Sequence, residues 1–256
     1  MIDPIGAGAL LYVLTGLCAG LLGAILGLGG GIIIVPVLIL VLKVPAHIAV
    51  AASLVAVVAT SISSSAGYMK RNLPLVRVGL TLELTTLVGA IFGSIAAGFV
   101  REDVIFILFS ILLLYTAWNM WQGRKIKNVE GDPDTYIATP VALAGSGAAG
   151  CISGMLGVGG GVVKVPVLNM LLGAPIHRST STSTFMMGLT AAVGSIAYYY
   201  RGEFLLELAA PLVLGVLLGA RLGPWVAMKI EAKGLRRAFV FVLLFVAIRM
   251  IWGVFS

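Results

Sequence analysis

Lys164 is the first residue that asks for a chemical role. It stands inside Gly157-Val-Gly-Gly-Gly-Val-Val-Lys-Val-Pro-Val-Leu168, an otherwise apolar run, one turn past a cluster of glycines. An ammonium group within a membrane costs roughly 2.5–3.5 kcal/mol on insertion scales unless a partner or water meets it. The residue therefore reads either as counter-charge for an anionic ligand or as a long side chain that snorkels to the interface. The glycines form a second candidate. Gly29, Gly30 and Gly31 close one Gly-x-Gly-Gly-Gly element, and Gly159, Gly160 and Gly161 close another, each just before a short apolar segment. Glycine lets the backbone bend sharply and present N–H groups, and a following helix start adds partial positive charge. That combination binds anions without a charged side chain. The competing reading is a tight turn that serves close helix packing. No strand precedes either element and no Gly-Lys-Ser/Thr follows, so neither is a nucleotide fingerprint.

A third candidate is the stretch His177-Arg178-Ser-Thr-Ser-Thr-Ser-Thr184, a guanidinium and six hydroxyls where an apolar helix is expected. The planar fork of Arg178 suits an oxyanion. Ser181 and Ser183 are contact candidates with Ser53 of the less polar counterpart His47-Ile-Ala-Val-Ala-Ala-Ser53. Hydroxyls in membrane helices also bond back to the preceding turn, which is the structural alternative. His47 and His177 follow prolines; each is either a proton-coupling group or an interfacial cap. Ser146, in Ala144-Gly-Ser-Gly147, would be the nucleophile of an intramembrane hydrolase, although its run of small residues reads first as helix packing. Glu83, Glu203 and Glu207 fall near segment ends, leaving no paired carboxylates in the core. No metal, ATP or redox-cofactor motif is present, so no cofactor is expected, and concentrative transport would draw on an ion gradient.

The elements that must position these residues follow from composition. The chain of 256 residues is 60% hydrophobic and 11% charged, with a mean hydropathy of +1.10. Soluble domains carry roughly a quarter charged residues, so this chain must present an apolar surface to lipid. No charge interrupts Pro4 to Leu42, Ile48 to Met69, Val104 to Gln122 or Thr135 to Val163. The first apolar segment has no basic lead and is expected to be retained. The net charge of +7 reflects short basic loops rather than a nucleic-acid surface. Cys18 and Cys151 lie in apolar stretches and suggest neither a disulfide nor a metal site.

The chain is also duplicated. Gly27–Leu38 and Gly157–Leu168 agree at eight of twelve positions with an offset of 130, and the same offset pairs Pro45 with Pro175, His47 with His177, Ser53 with Ser183, Tyr68 with Tyr198 and Arg71 with Arg201. Hydrophobic segments fall at 6–28, 31–42, 46–69, 78–100 and 104–122, then at 138–156, 161–173, 178–200, 204–227 and 237–255. Residues 1–122 and 138–256 are thus two membrane repeats joined by a cytoplasmic linker, 123–137, within one integral membrane domain. The expected fold is all-α, about five segments per repeat. Segments 31–42 and 161–173 are too short for a straight crossing; they either cross tilted or re-enter. Basic clusters at Lys70, Arg71 and Arg77, at Arg124, Lys125 and Lys127, and at Lys229, Lys233, Arg236 and Arg237 share one side only if each repeat crosses an odd number of times. Odd crossings make the repeats inverted, as in many transporters. Gly89, Gly93 and Ala97, and Gly215, Gly219 and Gly223, form small-xxx-small rows for close helix approach.

With these motifs the chain resembles the TauE/SafE sulfite exporter family, also called the sulfonate uptake permease family. The carriers are Gly27 to Gly31 with Pro36, their copies Gly157 to Gly161 with Pro166, Ala49-Val-Ala-Ala-Ser53 and Thr182-Ser183; Ala52 stands where threonine is usual in that family. The resemblance spans essentially the whole chain. It implies a non-enzymatic carrier of the bacterial inner membrane, multi-pass, moving sulfite, sulfoacetate or a related sulfur oxyanion. Oligomeric state, direction and the exact anion stay open. In this reading the glycine elements, Lys164, Arg178, Ser53, Ser181 and Ser183 form an anion site between the repeats, exposed alternately as one repeat rocks against the other. A passive anion channel would use the same charges.

Overall fold

The computed structural model describes residues 7–122, 136–227 and 232–255. The clusters at Arg124, Lys125, Lys127 and Lys229 lie outside the described residues, as do the side chains of Lys233, Arg236 and Arg237. Helices are the only regular elements among the described residues: α1 (Ala7–Leu26), α2 (Gly31–Pro36), α3 (Ala46–Met69), α4 (Val76–Ala97), α5 (Glu102–Gln122), α6 (Pro140–Leu156), α7 (Gly161–Pro166), α8 (Ile176–Tyr200), α9 (Leu206–Ala227) and α10 (Ala232–Phe255). Four of them, in α1, α3, α4 and α9, are long and apolar enough to cross a membrane. α8 is longer than α9, but six consecutive Ser and Thr residues and three tyrosines dilute its apolar character. The chain is a multi-pass membrane protein with a large apolar exterior that includes Leu84, Phe92, Trp118, Leu218 and Phe245.

Each short helix has a chemical reason for its length. Pro36 and Pro166 lack an N–H, so the ordinary i to i−4 ladder cannot continue through them. The chain goes on as a wider π turn, Val37–Val41 and Val167–Leu171, and then stops. Ahead of α2 the backbone folds back on α1: Leu28 N–H donates to Gly23 O at 3.0 Å, and Gly30 packs on the Ala19 carbonyl.

Packing follows the duplication. α1 packs on α9 and, correspondingly, α6 on α4; α3 on α9 and α8 on α4; α2 on α3 and α7 on α8; α3 pairs with its own copy α8, and α5 with α10. A Cβ on Gly215 or Gly219 would overlap the carbonyls of Val13 and Leu17, and one on Gly89 or Gly93 those of Gly147 and Cys151. The small-residue rows therefore bring backbones into contact across the repeats. Two mixed bodies result, α1–α3 with α9 and α6–α8 with α4, and they meet chiefly along α3 and α8. That contact is antiparallel: Ser61 Oγ donates to Thr184 O at 2.7 Å, Val57 lies near Met187 around Gly29, and Leu54 lies near Gly194. The aromatic pair repeats the symmetry. Tyr68 Oη donates to Ala24 O at 2.8 Å, and Tyr198 Oη to Gly154 O at 2.9 Å, donor and acceptor both shifted by 130.

Candidate functional site: two glycine turns and a buried ion pair

The turns Gly27–Gly30 and Gly157–Gly160 meet where α3 crosses α8. Gly27, Gly29 and Gly30 have φ of 69°, 81° and 79°, and Gly157, Gly159 and Gly160 have 72°, 78° and 73°. These are left-handed conformations that cost an L side chain roughly 1–2 kcal/mol each. The contacts are reciprocal. Gly31 abuts the Gly157 carbonyl and Gly161 abuts the Gly27 carbonyl. Ser53 Oγ donates to Gly157 O at 2.7 Å, and Ser183 Oγ donates to Gly27 O at 3.2 Å. Val57 and Met187 lie against Gly29 and Gly159. All ten residues from Gly27 to Gly31 and Gly157 to Gly161 are buried, so this conformation holds the turns closed on one another.

Lys164 follows one turn after Gly160, whose added Cβ would lie 3.4 Å from Lys164 Cε. The lysine is 1% exposed, so its head is in the core and does not snorkel. Nζ donates to Glu83 Oε2 at 2.9 Å and to Thr190 Oγ1 at 2.6 Å, while the Thr190 hydroxyl donates to Glu83 Oε1. Glu83 corrects the expectation that it lies near a segment end. It is the eighth of 22 residues in α4 and 1% exposed, because α4 runs parallel to α8 with Leu75 N–H on Thr182 Oγ1, and that register carries Glu83 to Thr190. The readable signal was complementarity: a lone acid and a lone base in two apolar segments, each needing the other.

The other candidates divide between two faces of α8. Thr180, Ser183 and Met187 face the glycine turns, whereas Thr182, Met186 and Thr190 face α4. Ser181 is buried and its hydroxyl donates to Arg178 O at 3.0 Å, the back-bonded arrangement. Arg178, in the first turn of α8, is half-buried with one buried guanidinium nitrogen that has no partner among the described residues. His177 beside it is exposed, and His47 is half-buried at the start of α3, which the antiparallel crossing puts at the opposite end of the α3–α8 pair. The structure thus brings together the glycines, Ser53, Ser183 and Lys164, and leaves Arg178, Ser181 and both histidines apart from them. Ser146 is buried with no side-chain base bonded to its hydroxyl among the described residues, whereas a serine nucleophile needs one. Among the described residues no three His, Cys, Asp or Glu side chains gather as a metal site.

Comparisons with known proteins agree on one family. The profile described as "Sulfite exporter TauE/SafE" matches residues 12–250. A probable membrane transporter protein, YunE, of Bacillus subtilis (strain 168) is 26% identical over 96% of this chain and 98% of its own length. A probable membrane transporter protein of Methanocaldococcus jannaschii is 28% identical over 88% of this chain and 89% of its own. Sulfite exporter TauE/SafE family protein 3 of Arabidopsis thaliana is 31% identical, over 50% of this chain and 28% of its own. No solved structure matches.

Proposed function

The chain belongs to the sulfite exporter TauE/SafE family of membrane transporters, and from that premise we propose that it is a secondary carrier exporting small sulfur oxyanions such as sulfite or sulfoacetate across a bacterial-type inner membrane. The repeats 1–122 and 138–256 are inverted, joined by the linker 123–137. Two contacts support the inversion. α3 and its copy α8 touch in antiparallel register. α9 runs with α3, Ser63 meeting Leu217 O and Gly67 meeting Pro224, while α4, the counterpart of α9, turns back from α3 after six residues.

The anion binds between the two glycine turns, with amides of Gly29 to Gly31 and Gly159 to Gly161 as donors, Ser53 and Ser183 at the same contact, and Lys164 as the balancing cation. Gly29 N–H, which donates to Gly23 O at 3.3 Å in the closed turns, must leave that carbonyl to take part. Arg178 with Ser181, near the start of α8, serves the approach to that site rather than its centre. The alternating motion differs from a rocking of repeat against repeat. The Gly89–Gly93 and Gly215–Gly219 contacts lock helices of opposite repeats backbone to backbone, so the moving bodies are the mixed ones, α1–α3 with α9 against α6–α8 with α4, hinged along α3 and α8. The closed turns correspond to an occluded state.

One observation carries the reading: two left-handed glycine turns meet at the antiparallel helix contact with a buried lysine one turn away. Sulfite counterflow in proteoliposomes tests it. The carrier reading expects saturable uptake that accelerates when unlabelled sulfite is inside, and its loss in Lys164→Ala at unchanged membrane insertion. Uptake without saturation or acceleration would mark a channel, and unchanged flux in the variant would remove the lysine from the site.

A further inference from the structure

We infer that Glu83 is the proton site of the transport cycle, and that its protonation frees Lys164, with the Ser153 hydroxyl beside it, to balance a monovalent oxyanion at the glycine turns. The inference rests on the carrier reading above and gives it a coupling ion and a charge class. Each anion moves with one proton, so an inside-alkaline pH difference favours entry, and export runs on the anion's own outward concentration difference. Its starting point is electroneutrality. Glu83 and Lys164 sit in the bundle interior as one negative and one positive charge, with side chains 2% and 0% exposed. Burying net charge there is far more costly than burying a matched pair. A monoanion could not replace Glu83 as the partner of Lys164 while the carboxylate stays charged, because the site would then hold one uncompensated negative charge. One proton removes that obstacle. The site then holds neutral Glu83, cationic Lys164 and the monoanion, and the sum is zero before and after.

The hydrogen bonds permit the exchange. With Glu83 ionised, Lys164 Nζ donates to Oε2 and Thr190 donates to Oε1. A proton taken from water onto a carboxylate oxygen ends the ion pair. The new carboxyl O–H can donate to Thr190 Oγ1, whose own hydrogen is then free to turn elsewhere, and the Lys164 N–H that held Oε2 becomes available to an oxyanion. One unspent donor lies beside the lysine stem. Ser153 Cβ and Lys164 Cε are each 3.4 Å from an added Cβ on Gly160, and the Ser153 hydroxyl is buried with no hydrogen-bond partner among the described residues.

Among the described residues, the other ionisable groups on α4 and on the helices packed against it lie roughly 9 Å or more from Glu83 along the helix axes, Arg77 being six residues before it on α4. Lys164 is the sole charged residue of α7, and α6 has none. The Cys151 backbone packs on Gly89 and Gly93, roughly 9 Å or more along α4 from Glu83. On α8, Arg178 and His177 lie roughly 18 Å before Thr190 and Tyr198 roughly 12 Å after it. The arrangement exists once per chain. At the offset of 130, Lys164, Glu83 and Ser153 correspond to Ile34, Val213 and Gly23, none of which can take a proton or bond an anion through its side chain.

Purified protein in weakly buffered detergent solution, titrated with methanesulfonate, a monoanion that does not itself titrate near neutral pH, tests the proton count directly. Binding should take up about one proton per anion. In proteoliposomes clamped with potassium and valinomycin, wild-type flux of sulfite and methanesulfonate should follow the pH difference and ignore voltage. Glu83→Gln, which imitates the protonated state, should take up no proton on binding and make net flux voltage-sensitive. Wild-type binding without proton uptake, or Glu83→Gln with wild-type proton coupling, would overturn the inference while leaving the carrier reading in place. Absence of counterflow in the wild type would overturn the carrier reading itself. Because Glu83→Gln leaves a buried lysine unpaired, the wild-type proton count and voltage response stand as tests that need no variant.

Discussion

Alanine at three glycines separates backbone strain from contact between the two turns. Gly202 has φ 73° and nothing within 4 Å of an added Cβ, so Gly202→Ala meets only the left-handed penalty, about 1–2 kcal/mol. Gly27 has nearly the same φ, 69°, but its Cβ would lie 3.0 Å from Thr180 Cα and O. Both are backbone atoms on the opposite body and cannot swing aside, so Gly27→Ala adds an overpacking cost of about 1–3 kcal/mol and totals about 2–5. Gly161 has ordinary helical φ and would gain about 1 kcal/mol in helix propensity as alanine, but its Cβ overlaps the Gly27 carbonyl across the contact. It should lose stability despite the better propensity. Thermal unfolding in one detergent, read by intrinsic tryptophan fluorescence, ranks the three. The predicted order of destabilisation places Gly27→Ala well beyond Gly202→Ala, with Gly161→Ala also below the parent. Equal midpoints for Gly27→Ala and Gly202→Ala would show that the first turn does not press on α8, and the closed-turn geometry would fail.

The buried pair should show strong coupling: removing one partner costs about 3–5 kcal/mol, whereas Glu83→Gln with Lys164→Met together should cost less than the sum of the singles. A double-mutant cycle in the same unfolding assay gives the coupling, and additive losses would deny the ion pair. Tyr68→Phe and Tyr198→Phe each remove one buried donor to a carbonyl and should each cost about 1 kcal/mol; a large loss in one and none in the other would contradict the symmetry. Gly93→Leu must force α4 from α6 at the Cys151 carbonyl, so about 3 kcal/mol or more of stability should go, seen as early aggregation on size-exclusion chromatography.

What the sequence made legible was whatever repeats. The constant offset marks the paired turns, and the structure returns them as one reciprocal contact, Ser53 on Gly157 and Ser183 on Gly27. The glycine rows were readable because only a missing side chain allows backbones so close. Helix ends moved by a few residues: the segment expected from 178 begins at Ile176 directly after Pro175, and that expected at 78–100 runs Val76–Ala97. Partner choice was not legible, since an exchange of α1 between α4 and α9 leaves the hydrophobic pattern unchanged. Depth was hidden as well. Glu83 lies eight residues into its own helix, yet its neighbour α8 starts seven residues earlier in the shared register, which takes the carboxylate to the fifteenth residue of α8 and away from any interface. A polar group's depth belongs to the packed pair, not to its own segment.

Two-sided access to the glycine contact tests the account most directly. In a background with Cys18 and Cys151 replaced by alanine, Ser53→Cys puts a thiol at the Gly157 carbonyl. A membrane-impermeant thiol reagent should modify it from either face of sealed vesicles, in separate experiments, and sulfite should slow both reactions. Modification from one face only, or from both with no protection by sulfite, would contradict a site that opens alternately to the two sides.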